Sequence, residues 1–149
     1  MNKTQKEYMT KYKTVKINGL NIFYREAGPN NAPTILLLHG FPTSSHMFRN
    51  LIQTLSDEFH LVALDYPGYG NSSMPSVDEF DYTFENMANI IDKFVETIGL
   101  ENYSLYMQDY GAPIGYRLFS MHPEKVQAFI IQNGLLIWHL LSITLSINK

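Results

Sequence analysis

Three short runs in this 149-residue chain hold groups that could do chemistry. Met107-Gln108-Asp109-Tyr110-Gly111-Ala112 sets a carboxylate between an apolar run and a helical one. An acid at such a junction has two uses. It can cap the helix by accepting its first N–H groups. Where the turn is sharp it can instead stand above the sheet as a nucleophile, in the place serine takes elsewhere. Gly111 supplies the missing side chain that a close turn needs. In His39-Gly40-Phe41-Pro42, Gly40 permits a tight backbone. The N–H groups after it either complete a plain turn or face a crevice. In the second case they join the N–H of Tyr110 to form an oxyanion hole. His39 reads as a residue that orders its loop, not as a base. The third run is Asp65-Tyr66-Pro67-Gly68-Tyr69-Gly70-Asn71-Ser72-Ser73. A phosphate loop would need a lysine and a following helix, and neither is present, so Asp65 reads as an organiser of the loop through hydrogen bonds.

These runs must be positioned by regular elements, and the chain supplies an alternating set. Lys13–Ile17 and Leu20–Glu26 alternate around Asn18-Gly19, which predicts a β-hairpin. Thr34–Leu38 and His60–Asp65 are continuous apolar runs, as in strands buried on both faces of a parallel sheet. Between them, Met47, Phe48, Leu51, Ile52 and Leu55 recur at helical spacing after Thr43-Ser44-Ser45. Thr83 is placed to cap a helix with the stripe Phe84, Met87, Ala88, Ile91, Phe94, Val95 and Ile98, stopped by Gly99. Tyr103–Gln108 is a third such strand, Ala112–Met121 a helix, and Val126–Gln132 a fourth strand. A hairpin followed by β-α-β-α-β-α-β predicts an α/β, parallel-rich sheet with helices on both faces. Sites in such sheets lie at the carboxyl ends of strands, here His39, Asp65, Asp109 and Asn133.

Composition narrows the function. Eleven basic against fourteen acidic residues give a net charge of −3, without the basic excess of a nucleic-acid binder. Zero cysteines exclude disulfides, a thiolate metal site and a cysteine nucleophile. No metal or cofactor is expected. The N-terminal segment is polar and lacks the apolar stretch of a secretory signal. The longest apolar stretch, Leu135–Ile147, is shorter than the roughly 20 residues a spanning helix needs. A cytoplasmic protein is the expectation.

Taken with the element order, His39-Gly40-Phe41-Pro42, Asp65–Ser73 and Gln108–Ala112 resemble the α/β-hydrolase superfamily, in particular its epoxide hydrolase and haloalkane dehalogenase group. The resemblance covers roughly residues 13–134. It implies that Asp109 is a nucleophile that displaces a halide or an epoxide oxygen from carbon and becomes an alkyl ester. The N–H groups of Phe41 and Tyr110 would be the oxyanion hole, and the elbow strand would lie near the middle of the sheet. The implied substrate is small and mostly apolar, such as an epoxide or organohalide. Ester or lactone hydrolysis, or a non-catalytic fragment acting as an interaction module, are the alternatives.

The chain also departs from that group. Members often carry His-Asp-Trp where this sequence has Gln108-Asp109-Tyr110. Phe41 matches the epoxide hydrolase pattern better than the dehalogenase one. Gln132-Asn133 offers amides where some dehalogenases place the triad acid. None of the histidines at 39, 46, 60, 122 and 139 follows a late strand, so the base histidine is absent from its family position. The expectation is therefore a partial α/β-hydrolase domain over 13–134, truncated before cap and late strands and inactive in turnover. It follows a polar tail over 1–12 and precedes an atypical apolar tail over 135–149. From Leu141 that tail alternates strictly, which together with an open sheet edge predicts self-association.

Overall fold

In the computed structural model, residues 8–134 are described. The expectations for the 135–149 tail and for His139 therefore lie outside the described residues. The chain opens with the hairpin β1 (Lys11–Ile17) and β2 (Leu20–Ala27), paired antiparallel with Ile17 opposite Leu20. Its two-residue turn needs a positive φ at both positions, and Asn18 (50°) and Gly19 (86°) provide it. β1 starts at Lys11, two residues before the alternation becomes visible in the sequence.

The remaining elements are β3 (Thr34–Leu38), α1 (Arg49–Leu55), β4 (His60–Leu64), α2 (Phe84–Thr97), β5 (Tyr103–Gln108), α3 (Gly111–Met121) and β6 (Val126–Gln132). They build a six-stranded sheet of order β1-β2-β4-β3-β5-β6. β2 meets β4 antiparallel, and the β4-β3-β5-β6 pairings are parallel. The architecture is the expected α/β one. One detail differs: among the described residues β5 is next to the edge of the sheet, not near its middle, because β6 is its only neighbour on the outer side.

Alternation within the buried strands feeds two cores. Leu36, Leu38, Val62 and Leu64 pack on one face with Ile91, Phe94 and Val95 of α2 and with Leu118 of α3. Ile35, Leu37, Leu61 and Ala63 pack on the other with Phe48 and Ile52. The helices thus cover both faces. Thr83 caps α2, its side chain accepting the Asn86 N–H at 3.2 Å. The helix expected from Met47 begins instead as a 3₁₀ turn, Ser45–Phe48, and becomes α-helical at Arg49. That first turn is gripped from outside: the Ser45 N–H donates to Asp65, and its hydroxyl accepts from Arg25 Nε.

Candidate active site

β3, β4, β5 and β6 end at Leu38, Leu64, Gln108 and Gln132, so His39, Asp65, Asp109 and Asn133 each follow a strand. Between β5 and α3 only Asp109 and Tyr110 are left to reverse the chain. Asp109 sits at φ 50°, a left-handed conformation that costs a residue with a Cβ roughly 1–2 kcal/mol. Its backbone is pinned on both sides, the N–H to Gln132 O and the carbonyl to the Ala112 N–H.

The carboxylate makes no capping bond to α3, whose N-cap residue is Tyr110. Of the two uses open to an acid here, the cap is thereby excluded. Oδ2 instead accepts the Phe41 N–H at 2.9 Å, and Oδ1 has no hydrogen bond among the described residues. The Tyr110 N–H is likewise unused among them, at the head of an eleven-residue helix whose orphan N–H groups favour an anion.

Close approach makes this turn possible. A Cβ on Gly40 would stand 2.3 Å from Gln108 Oε1 and 2.6 Å from Asp109 Cβ. A Cβ on Gly111 would stand 2.4 Å from the Leu38 carbonyl oxygen. Glycine at both positions lets the β3 loop and the start of α3 close around Asp109.

His39 is fully buried. Its Nδ1 donates to the Gly40 carbonyl at 3.0 Å and its Nε2 accepts the Tyr66 N–H at 3.4 Å, which assigns the proton to Nδ1. Burial holds its pKa below the ordinary histidine value. The ring stacks on Tyr66 at 3.9 Å, and the Tyr66 hydroxyl donates back to the His39 carbonyl. Both nitrogens are therefore engaged in ordering the loop that offers the Phe41 N–H.

Asp65 is also fully buried and orders the neighbouring loop. Oδ1 accepts the Ser45 N–H at 2.7 Å and Oδ2 the Asn71 N–H at 2.8 Å. Ser72 completes the clamp, its hydroxyl donating to the Asp65 carbonyl while accepting the Phe23 N–H.

Beside the turn lies a cleft of about 500 Å³ whose lining includes Tyr69, Tyr82, Phe84, Tyr110, Ile114 and Arg117. Asp109 is not among the lining residues, whereas its neighbours Tyr110 and Tyr69 are. The Tyr110 ring lies between Phe41 (5.5 Å) and Phe84 (5.1 Å). Arg117 leans over Phe84 and pairs with Glu85. Sequence reading missed this wall. Phe84 registers there only as part of a helix stripe, and Tyr69 and Tyr82 belong to an irregular stretch without periodicity.

A family model described as the alpha/beta hydrolase fold matches residues 33–146, and the chain belongs to that family. The match continues beyond Gly134, where the resemblance read from the sequence stops. An uncharacterized hydrolase of Saccharomyces cerevisiae is 43% identical over 117 residues, 78% of this chain and 40% of that protein. A haloalkane dehalogenase of Agrobacterium fabrum is 40% identical over 110 residues, 74% of this chain and 34% of that protein. Among solved structures, an ancestral haloalkane dehalogenase superposes with a TM-score of 0.78 at 32% identity, covering 83% of this chain and 42% of the other. The chain thus spans no more than about two fifths of the length of these relatives.

Proposed function

We propose that Asp109 is the nucleophile of a site that attacks saturated carbon bearing a halide or an epoxide oxygen. The observation that carries this reading is the asymmetric carboxylate, with Oδ2 held by the Phe41 N–H and Oδ1 without a partner among the described residues. Oδ1 forms the new bond to carbon, and the leaving atom departs with the bonding pair on the opposite side. Oδ2 becomes the carbonyl oxygen of the ester and is already on a backbone donor. The N–H groups of Phe41 and Tyr110 then polarise that carbonyl when water adds. The aromatic and aliphatic cleft suits a small, mostly apolar substrate, and the dehalogenase relatives support a carbon–halogen bond as one target.

Hydrolysis of the ester needs a base to activate water, a contribution of typically ~10²–10⁴-fold. Among the described residues no histidine is hydrogen-bonded to Asp109. His39 is buried with both nitrogens engaged. His60 bonds Thr34 and Glu26, and His122 lies between Asp92 and Glu124. His46 is exposed. With no such base hydrogen-bonded to Asp109 among the described residues, one alkylation followed by a stall is the expected outcome. Incubation with a primary alkyl bromide or a terminal epoxide, followed by intact mass and peptide mapping, should give at most one adduct per chain, on Asp109. Asp109→Asn should abolish it. An adduct elsewhere, or none, overturns the assignment, and sustained multiple turnover overturns the stall.

A further inference from the structure

The chain contains two Asn-Gly pairs, Asn18-Gly19 and Asn133-Gly134. In such a pair the glycine carries no side chain, so its backbone nitrogen can approach the carboxamide carbon of the asparagine before it. The fold gives the two pairs different surroundings.

Asn18 and Gly19 are the whole of the β1-β2 turn, and both are exposed. A Cβ on Gly19 would meet nothing within 4 Å, and the Gly19 N–H makes no hydrogen bond among the described residues. The nitrogen is thus neither tied nor crowded. From α2, Lys93 Nζ donates to Asn18 Oδ1 at 3.2 Å, which draws electron density away from the carboxamide carbon. At the second pair these features are reversed. A Cβ on Gly134 would stand 2.8 Å from both Ala112 Cβ and Ile131 Cγ2, so the backbone there is packed against α3 and β6. The Asn133 side chain accepts no hydrogen bond among the described residues.

We propose that Asn18 is a site of self-modification, at which the Gly19 nitrogen closes a succinimide ring on Asn18 Cγ while Lys93 holds the carbonyl oxygen. As the new N–C bond forms, negative charge develops on Oδ1, where Lys93 already donates. The bond from Cγ to Nδ2 then breaks. The Gly19 proton, carried by water, leaves with that nitrogen as ammonia. Water next opens the ring at either carbonyl. Opening at Cγ gives aspartate on an unchanged main chain, beside Lys93. Opening at the backbone carbonyl gives isoaspartate, whose main chain runs through Cβ and Cγ. The added backbone atom lengthens a turn whose two residues fix the register of Ile17 opposite Leu20. The product is therefore a hairpin with an altered β1-β2 joint.

The test incubates the folded full chain in mildly alkaline heavy-oxygen water and maps its peptides, with isoaspartate told from aspartate by its fragment ions. Each converted chain should carry one heavy oxygen at position 18. Asn18 should convert about tenfold faster than Asn133, and Lys93→Met should slow it about tenfold. Lys93 is exposed, so this change leaves the packed stripe of α2 intact. Lys93→Arg keeps a donor and should retain most of the rate. In urea the two pairs should convert at similar rates, whatever residue stands at position 93. Equal rates at the two pairs in the folded chain, or a faster Asn133, overturn the proposal. So does an Asn18 that stays intact, or a Lys93→Met chain that converts at the parent rate. A Lys93→Met effect that persists in urea also overturns it, because the contact exists only in the fold.

Discussion

The left-handed backbone of Asp109 separates what this residue contributes to stability from what it contributes to chemistry. At φ 50° a Cβ is strained, while glycine is not. Asp109→Gly and Asp109→Ala both remove the carboxylate and its bond from Phe41. Urea unfolding should nevertheless find the glycine variant more stable than the alanine one by about 1 kcal/mol. Equal stabilities would mean that the turn is not strained in solution. The position of Asp109 was legible because a carboxylate between an apolar run and a helical one is a local pattern. Its hydrogen bond was not, since the Phe41 N–H comes from a loop 68 positions away. The same holds for Asp65: an acid after a strand is visible in the sequence, but the pairing of its two oxygens with Ser45 and Asn71 is set by tertiary folding.

Elements with a strong period were read well. The Asn18-Gly19 hairpin, the doubly buried β3 and β4, and the Thr83-capped α2 appear as expected. The irregular stretch between β4 and α2 gave no period to read, although it supplies much of the cleft wall. What ties the elements together at the opposite end of the parallel strands is a polar chain. Lys13 of β1 pairs with Glu26 of β2, which also bonds His60 Nε2 of β4 at 2.9 Å, and His60 Nδ1 meets Thr34 Oγ1 of β3. Burial alone would push the Glu26 carboxyl up. The hydrogen bonds from Lys13 and His60 outweigh it and hold the pKa below its ordinary value of 4.5. The contribution of Glu26 is therefore full above that value and is lost as pH falls through the lower, folded one. Urea midpoints measured from pH 6 down to pH 3 should fall, and Glu26→Gln should flatten the acid limb. A parent and variant with parallel limbs would remove Glu26 from the acid response.

At the scale of the whole molecule the two edges of the sheet, β1 and β6 among the described residues, differ in how they are guarded. Its hairpin side is a regular antiparallel pair, with Lys11, Lys13 and Lys16 along the outer strand, a common guard against edge pairing. Its β6 side has no further strand among the described residues. There Phe129, Ile130 and Ile131 are 39%, 41% and 51% exposed, so both faces of one edge strand show apolar side chains to solvent. Backbone donors and acceptors beside such side chains form a template for a second strand. The expected outcome is concentration-dependent association through β6, seen as a rising apparent mass in sedimentation velocity. Ile131→Lys places a charge on that edge, where an approaching strand would have to bury it without a partner. It should shift the chain toward monomer with little change in its unfolding midpoint, because Ile131 is the most exposed of the three. Association that is indifferent to this charge would move the contact away from β6, and a chain monomeric at every concentration would show that the edge is guarded in solution.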